Sequence, residues 1–408
     1  MKTLLQINIV VNSGSTGRIA EDIGKSAINN GWTSYIAYGR GAGKSQSNLI
    51  KIGTDIDIYI HVVRTRLLDQ HALGSYIATL DLIKQIKSVK PDIIQLHNIH
   101  GYYINIELLF SFLATSNIPI IWTFHDCWPM TGHCAHFDYI CCEKWKSSCF
   151  KCPQIESYPQ SLFVDRSKKN HELKKYLFNS IENMTIVTVS NWLGNIVKQS
   201  FLSKYPIQVI NNGIDLSVFK QRNCIHLSEK FNLKGKFVIL GVANPWSKRK
   251  GLYDFIELSK HLDFNFKIIL VGLTMKQMKL LPENIIGISK TNNIQELAEF
   301  YSCADIFLNP TWEDNFPTTN LESLACGTPV TTYKTGGSFE SLSPETGFVV
   351  EKGDIQGLVS TINIVKLKGK NSYSIACRER AENLYNKNNR YLEYISLYDR
   401  ILREKTTK

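Results

Sequence analysis

The segment TWEDNFPTTNLESLACGTPV (311–330) places two carboxylates, Asp314 and Glu322, on either side of a Phe-Pro-Thr-Thr run. Asp314 lies ahead of an apolar helix, and Glu322 falls on the first turns of that helix. One interpretation is electrostatic, because acidic groups stabilise a helix N-terminus through the helix dipole. The other is a binding site for a ligand that carries both phosphate and hydroxyl groups.

Two further loops carry residues suited to such a ligand. NPWSKRKGL (244–252) follows an apolar strand and brings Lys248, Arg249 and Lys250 to the start of a helix, where cations and N–H groups bind phosphate. YKTGGSFE (333–340) follows the strand TPVTT, and its paired glycines allow close backbone approach. Clustered basic residues are more often a solvated surface. Three loops converging on one sheet edge nevertheless favour a binding site.

The elements that position these loops are short β-branched strands alternating with longer amphipathic helices. This alternation predicts an α/β fold with parallel sheets covered on both faces. At 408 residues the chain is too long for one ordinary core, and the pattern restarts after about Ser203 with the strand IQVINNG. We therefore predict two Rossmann-like, doubly wound domains that face each other across a cleft. Their bounds are residues 1–203, with an insertion at about 127–160, and residues 204–380.

The net charge of +11 attracts anions, which include nucleic acid, anionic lipid and phosphorylated small molecules. No base-reading module is recognisable, so nucleic acid is not an expected partner. The apolar N-terminus has no small-residue cleavage site, and no apolar run approaches the roughly 20 residues that cross a bilayer. We expect a cytoplasmic protein whose membrane contact, if any, is peripheral on the inner face of the cell membrane.

The chain resembles the family-four retaining glycosyltransferases, which have the GT-B fold. Asp314 and Glu322 form the acid-x7-acid signature of that family. NNGID, GVANPWSKRKGL, AEFYSCADIFLNPTWEDNFPTTNLESLACGTPV and TGG occur in the family's order, and the resemblance covers essentially the whole chain. It implies a GT-B architecture in which a helix at 381–408 packs back on the first domain. It also implies bacterial capsule, exopolysaccharide or O-antigen assembly.

The resemblance implies a role for each matching residue in binding a UDP- or GDP-hexose donor. Glu322 would accept hydrogen bonds from the ribose, Asp314 would contact the hexose, and Lys250 would bind the diphosphate. The family's usual arginine six residues before this lysine is replaced by Asn244. The other donor-binding residues that the resemblance implies are Gly14, Gly17, Arg249, Asn315, Phe316, Pro317, Thr318 and Thr319.

In the first domain, NSGSTGRIA (12–20) is a glycine-containing loop between a strand and a helix, with Arg18 as a candidate cation. A histidine at a strand end is usually structural, but the family has a sugar-contacting histidine at the position of His125. Asp126 either orients His125 or caps the next helix. His97 and His100, in LHNIHG, are candidates for the acceptor side.

The resemblance implies a retaining hexosyltransferase that uses a saccharide or lipid-linked acceptor. No side chain stands out as a covalent nucleophile, and the nucleotide loops lack an Asp-x-Asp metal motif, so we expect no catalytic divalent metal. The alternatives are a GT-B nucleotide-sugar epimerase, a phosphorylase-like enzyme, or a non-catalytic sugar- or lipid-binding protein.

Six of the ten cysteines lie in CWPMTGHCAHFDYICCEKWKSSCFKCP (127–153). The spacing C-x7-C-x6-C-x2-C of Cys134, Cys142, Cys149 and Cys152 predicts a structural zinc site, with His133 or Cys141 as substitute ligands. A similar insertion occurs in a subset of bacterial polysaccharide glycosyltransferases. The alternative is unligated thiols in a small hydrophobic lobe.

Basic residues flank this insertion: Lys144, Lys146, Lys151 and the run RSKKNHELKK (166–175). One interpretation is that they form a solvated face. The other is that they attract anionic lipid and a diphosphate-linked lipid acceptor.

Overall fold

A computed structural model describes residues 2–406. Its contacts divide the chain into two compact units. Unit 1 comprises the chain up to Asn211 together with the chain from Arg390, and unit 2 comprises Asn212–Asn389. Within residues 2–406, no helix combines the length and the apolar character needed to cross a membrane.

Unit 1 contains a seven-stranded sheet in which every pair of neighbouring strands is parallel. Its strands are β1 (Thr3–Asn8), β2 (Thr33–Tyr38), β3 (Asn48–Lys51), β4 (Ile93–Leu96), β5 (Ile120–Phe124), β6 (Met184–Thr188) and β7 (Ile207–Val209). Their spatial order is β3-β2-β1-β4-β5-β6-β7. Every residue of β4 and β5 is buried, as expected for a parallel sheet covered on both faces. The helices before the break at residue 211 are α1 (Gly14–Asn29), α2 (Asp55–Leu68), α3 (Tyr76–Val89), α4 (Ile106–Thr115), α5 (Ser167–Phe178) and α6 (Asn191–Lys198).

Unit 2 contains a six-stranded parallel sheet ordered β10-β9-β8-β11-β12-β13. Its strands are β8 (Phe237–Val242), β9 (Phe266–Val271), β10 (Ile285–Ile288), β11 (Ile306–Asn309), β12 (Val330–Tyr333) and β13 (Gly347–Val350). The remaining helices are α7 (Ile225–Lys230), α8 (Leu252–Leu258), α9 (Met275–Met278), α10 (Ile294–Cys303), α11 (Thr318–Ala325), α12 (Ile355–Lys368), α13 (Asn371–Tyr385) and α14 (Lys387–Thr406). The predicted α/β class and parallel sheets are thus confirmed.

Helix α14 begins in unit 2, and its residues from Arg390 onward belong to unit 1. The ring of Tyr398 lies edge-on to Trp32, with 5.6 Å between ring centroids, and its hydroxyl donates to Gln95 Oε1. Five residues of α14 pack into the core of unit 1: Tyr391, Tyr394, Ile395, Leu397 and Tyr398. The apolar stripe of this helix is therefore core.

Two details differ from the sequence-based expectation. The strand IQV was assigned to the second series, but β7 pairs with β6 at the edge of the first sheet. The predicted helix over 381–408 is two helices, because Asn386 is extended and forms a bridge with Ile214. The Ile214 N–H donates to Tyr385 O at 2.7 Å at this break.

Candidate active site

The strand order of each sheet reverses between two neighbouring strands, β1 and β4 in unit 1 and β8 and β11 in unit 2. Doubly wound sheets bind ligands beyond the carboxyl ends of their strands at such a reversal. The loops that follow β4, β8 and β11 contain His97, Lys250 and Asp314, which the sequence pattern marks as candidates. Each unit thus has a candidate ligand-binding edge.

Two glycines allow three loops of unit 2 to lie in contact. Gly251 follows β8 with φ +78°, and a Cβ built on it would lie 2.2 Å from Pro310 O. Gly336 follows β12 with φ +50°, and a Cβ there would lie 1.8 Å from Asp314 O. A side chain at either position would displace the loop that follows β11. The loops after β8, β11 and β12 therefore lie together at the edge of this sheet.

The basic residues of the β8 loop are held against the β11 loop. Lys250 Nζ forms an ion pair with Asp314 Oδ2, and the two side chains are only 22% and 19% exposed. Arg249 Nη1 donates to Glu313 O at 2.7 Å, and the Trp312 N–H donates to Arg249 O at 2.8 Å. The sequence did not indicate that the proposed hexose-binding and diphosphate-binding side chains are partners.

Glu322 lies on α11 and is buried, with Oε2 accepting a hydrogen bond from Tyr301 OH at 2.9 Å. Burial and the adjacent carboxylate raise the pKa of Tyr301 well above its usual value, so its hydroxyl remains a donor. Tyr301 on α10 thus fixes the orientation of the carboxylate. No local sequence motif marks this tyrosine, because its contact with Glu322 crosses between two helices.

The first turn of α11 has no side-chain cap. Its N-cap residue is Pro317, which makes no side-chain cap hydrogen bond, and Thr318 and Thr319 are its first, half-buried residues. Asn320 lies inside the helix, where a side chain cannot act as N-cap. Its amide is buried and donates to Ser338 O at 3.1 Å.

Two residues before α11 are also buried. They are Asn315 and Phe316. The Phe316 carbonyl accepts a hydrogen bond from Asn212 Nδ2 at 3.1 Å. This contact ties the NNGID segment to the loop that follows β11.

Asp254 is a further organising residue that sequence analysis missed. One carboxylate oxygen accepts from Trp312 Nε1 at 2.9 Å and the other accepts from Tyr333 OH at 2.7 Å. This residue of α8 therefore fixes both the β11 loop and the end of β12. An acidic residue on the first turn of a helix looks like a dipole-compensating charge, so its sequence position gave no hint of these contacts.

In unit 1, His125 follows β5 and stacks on His97, which follows β4. His97 Nδ1 lies 3.1 Å from His125 Nε2, and His97 Nε2 lies 3.0 Å from Gln6 Oε1. Burial lowers the pKa of His97 well below its usual value and, despite the opposing charge of Asp126, lowers the pKa of His125 to about 4. Both rings are thus neutral near pH 7. Because Gln6 Oε1 can only accept, this chain of hydrogen bonds assigns the proton of His125 to Nε2 and makes its Nδ1 an acceptor.

Asp126 contacts His100 rather than His125. Its Oδ2 lies 2.8 Å from His100 Nε2, and Tyr158 OH lies 2.8 Å from His100 Nδ1. Burial alone would raise the pKa of Asp126, but His100 more than compensates and the pKa falls to about 2. Of the two roles expected for Asp126, the orienting hydrogen bond goes to His100 and not to His125. Asp126 Oδ1 also accepts from the Trp128 N–H at 2.9 Å, but the N-cap position of that short 3-10 turn is Cys127, which makes no side-chain cap hydrogen bond.

The first turns of α1 contain two glycines with different surroundings. Gly17 is buried, and a Cβ on it would meet Val10 Cγ2 at 2.9 Å, so it permits close packing of the helix. Gly14 is exposed with φ +60° and has open space where a Cβ would lie. Arg18 is also exposed, and its Nε donates to Gly14 O at 3.0 Å. Gly14 and Arg18, unlike Gly17, are therefore accessible from solvent.

The model for "Glycosyltransferase Family 4" matches residues 16–218, and the model for "Glycosyl transferases group 1" matches residues 236–365. The chain is a family-four glycosyltransferase. Family membership decides in favour of glycosyl transfer over the epimerase, phosphorylase-like and non-catalytic alternatives.

Similar proteins agree with this assignment. The glycosyltransferase is 24% identical over 381 residues to an Escherichia coli protein assigned as the colanic acid biosynthesis glycosyl transferase WcaC, covering 87% of this chain and 89% of that one. It is 26% identical over 247 residues to the capsular polysaccharide biosynthesis glycosyltransferase CapM of Staphylococcus aureus, covering 55% of this chain and 63% of CapM.

Solved structures establish the GT-B fold of the glycosyltransferase. Sucrose-phosphate synthase from Thermosynechococcus elongatus superposes with a TM-score of 0.72 at 15% identity, covering 99% of this chain and 100% of that one. Anabaena HepE in complex with UDP superposes with a TM-score of 0.69 at 14% identity, covering 98% of this chain and 100% of HepE.

The cysteine-rich segment of the glycosyltransferase surrounds one small, mainly apolar cavity. Cys134, Cys142, Cys149 and Cys152 all line it as free thiols. A hydrogen bond from Cys134 lowers the pKa of Cys152 to about 7 and raises that of Cys134 well above its usual value. Among residues 2–406, however, no group of three or more His, Cys, Asp or Glu side chains is arranged to hold a metal ion.

His133 lines the same cavity. Its Nδ1 lies 2.6 Å from Asp69 Oδ1, while its buried Nε2 has no hydrogen-bond partner among the described residues. A histidine held by a carboxylate through one ring nitrogen is the usual arrangement of a metal-binding histidine. The thiol and imidazole groups around the cavity are therefore of the types that bind zinc.

The basic flanks of this segment are partly committed to local contacts. Lys144 Nζ donates to Phe150 O at 2.9 Å, and Lys146 pairs with Glu143 at 2.6 Å. Lys174 is buried, with its ammonium 3.4 Å from the centroid of the Trp128 ring. These lysines therefore serve the fold of the segment.

Proposed function

We propose that this glycosyltransferase transfers a hexosyl group from a UDP- or GDP-linked donor, with retention of anomeric configuration. The observation that carries the proposal is the meeting of Lys250 and Asp314 in the loops beside the strand reversal of unit 2, with Glu322 on the helix that follows. The UDP complex of the structurally similar HepE supports a nucleotide-linked donor.

The geometry of these side chains supports the donor roles that the family resemblance implies. Glu322, held by Tyr301, would accept hydrogen bonds from the two ribose hydroxyls. Lys250 would exchange part of its interaction with Asp314 for the diphosphate, which releases that carboxylate to bind hexose hydroxyls. Arg249 and the amides of Thr318 and Thr319, at the N-terminus of α11, would supply further positive potential.

In the proposed reaction, the bond from C1 of the hexose to the diphosphate oxygen breaks, and an acceptor hydroxyl oxygen bonds to C1 on the same face. The proton of that hydroxyl passes to the departing phosphate. Lys250 and the α11 N-terminus stabilise the charge that grows on the diphosphate. His125, neutral with an accepting Nδ1, would bind a hydroxyl of the transferred sugar.

The test compares release of nucleoside diphosphate from a panel of donors. We expect Lys250→Ala to lower kcat about 100-fold or more, because a group that stabilises transition-state charge contributes roughly 3 kcal/mol. Glu322→Ala should mainly raise the donor KM. Lys260→Ala, an exposed lysine paired with Glu257, is the matched control. Full release by both site variants would refute the assignment, and an inverted anomeric centre by NMR would refute retention.

The relatives named for colanic acid and capsular polysaccharide biosynthesis support an acceptor in cell-surface polysaccharide assembly. A Campylobacter jejuni relative, 21% identical over 282 residues, is named for transfer to a diphospho-undecaprenol-linked sugar. We therefore propose a saccharide or lipid-linked saccharide acceptor, and a cytoplasmic enzyme in peripheral contact with the membrane. Product mass after incubation with soluble and lipid-linked acceptors tests this choice.

A structural zinc ion bound by Cys134, Cys142, Cys149 and Cys152, with His133 as the alternative fourth ligand, would organise the cysteine-rich segment. A closed four-ligand site leaves no position for substrate, so the ion would serve stability alone. Elemental analysis should find zinc near one equivalent. Cys149→Ser should lose it, whereas Cys326→Ser, a buried thiol of unit 2, should retain it. Wild-type protein without metal contradicts the site.

The variant His133→Asn distinguishes the two possible ligand sets, which are four cysteines or three cysteines with His133. Retention of zinc by this variant favours four thiolates, and its loss favours the histidine.

A further inference from the structure

The apolar face of helix α2 is exposed to solvent. Its exposed apolar residues follow the spacing of one helical face and are Ile56, Tyr59, Ile60, Val63 and Leu67. Ile56 is 71% exposed and Tyr59 is 70% exposed. The buried residues of α2 are the polar His61 and Thr65. This distribution of polarity is the reverse of what packing against a protein core requires.

The apolar area continues beyond α2. His61 joins α2 to the start of α3 through Ser75 Oγ at 2.9 Å and the Gly74 N–H at 3.2 Å. The exposed apolar residues there are Tyr76, Ile77 and Leu80. At the other end, the Leu162 N–H donates to Arg66 O at 2.7 Å, which places exposed Leu162 and Phe163 beside the end of α2. We call these residues of α2, α3 and 162–163 the α2–α3 surface.

Basic side chains border the α2–α3 surface. Arg64 and Arg66 are exposed on α2 itself. The Arg166 N–H donates to Asp69 Oδ2 at 2.7 Å, which fixes the start of α5 and its exposed Lys168 and Lys169 beside the end of α2.

Nearby acidic groups make local contacts: Asp57 accepts from the Thr54 N–H at 2.7 Å, Asp165 accepts from the Cys152 N–H at 2.6 Å, and two others pair with lysines. Asp55 lies 3.6 Å from Lys51, and Asp81 lies 2.9 Å from Lys84. The acids therefore do little to neutralise the positive border.

We infer that the α2–α3 surface docks this protein onto an anionic membrane, with its apolar side chains in the interfacial region and its basic border against lipid headgroups. A contiguous exposed apolar area marks an interaction site, and a helix with one apolar face and basic flanks suits a membrane interface. In a symmetric dimer through this surface, the basic borders of the two copies would face each other, and electrostatic repulsion disfavours that arrangement. The inference deepens the proposed peripheral contact and gives it a location.

The test measures binding of the full chain to phosphatidylcholine vesicles with and without one-third phosphatidylglycerol, in the absence of donor sugar. The variant Ile56→Gln/Ile77→Gln/Phe163→Gln removes one strongly exposed apolar side chain from each part of the surface. Its matched control, Phe264→Gln/Leu367→Gln/Ile375→Gln, removes three equally exposed apolar side chains from unit 2.

We expect the wild type and the control to bind anionic vesicles, and the surface variant to bind at least tenfold more weakly, about 1.4 kcal/mol. Added salt should weaken wild-type binding by screening the basic border. Equal binding by surface and control variants overturns the inference. So does a lipid-free dimer, measured by light scattering, that only the surface variant dissociates. Because no transfer is measured, either outcome leaves the proposed reaction untouched.

Discussion

Substitution of Tyr301 by Phe isolates the contribution of one buried hydroxyl to donor binding. The hydroxyl donates to Glu322 Oε2 at 2.9 Å, and both side chains are buried. The ring itself packs edge-on against Phe307, with 5.3 Å between centroids, and the substitution retains it. Tyr301→Phe therefore removes a hydrogen bond to a carboxylate while leaving the hydrophobic core of unit 2 filled.

The magnitude follows from the charge of the acceptor. A hydrogen bond to a charged group contributes roughly 1.5–3 kcal/mol. Part of this free energy stabilises the fold whether or not donor is bound, and the remainder holds the carboxylate of Glu322 in place for the ribose. We expect the donor-binding share to be about 1.4 kcal/mol, a tenfold increase in the donor KM. The ribose is remote from the bond that breaks, so kcat should change less than threefold.

The assay is steady-state release of nucleoside diphosphate, with calorimetric titration of UDP and GDP as a direct measure of affinity. Tyr205→Phe is the matched control, because its buried hydroxyl donates to two backbone carbonyls in unit 1. An unchanged donor KM in Tyr301→Phe, together with a lowered melting temperature, would show that the Tyr301 hydroxyl serves only the fold. The reasoning that this hydroxyl orients Glu322 for the donor would then be wrong.

Three further predictions concern stability. Gly336→Ala should lower the free energy of unfolding of unit 2 by about 3 kcal/mol or more and abolish transfer, because the new Cβ would meet a backbone carbonyl. Its control is Gly235→Ala, where φ is +74° and the space is open, and which should lower the free energy of unfolding by only about 1 kcal/mol. Lys174→Met should cost about 2 kcal/mol by removing the hydrogen bonds that the Lys174 ammonium donates to two backbone carbonyls, whereas exposed Lys175→Met should be nearly neutral in thermal unfolding. Because the pKa of His125 is about 4 when folded and about 6.5 when unfolded, protons bind preferentially to the unfolded chain. Stability should therefore fall by at most about 3 kcal/mol as pH drops from 6.5 to 4, and denaturant unfolding of His125→Gln should show a smaller loss.

The sequence predicted the fold class because parallel strands buried on both faces are continuous apolar runs, as in IIWTF of β5. It missed β3 and β13, which are short edge strands with few buried residues. Such strands lack the apolar pattern on which detection depends. The assignment of β7 to the wrong sheet has the same origin, since three half-buried residues carry no information about their partner strand.

Residues of the candidate site were predicted where a local motif carried them, as with Lys250, Asp314 and Glu322. Their partners were not, because those partners are distant in sequence. Lys250 and Asp314 are 64 positions apart, and His97 and His125 are 28 apart. Which side chains meet across such distances depends on the order of strands in the sheet, and local periodicity does not contain that order.

The path of α14 makes unit 1 discontinuous in the chain. A ribosome would have to synthesise all of Asn212–Asn389 before the tyrosines of α14 could complete the packing around Trp32. While unit 2 is being translated, the nascent part of unit 1 would therefore lack the α14 residues that complete its core. A chain that ended before α14 would expose this gap as an apolar groove, and exposed apolar surface of this kind promotes aggregation.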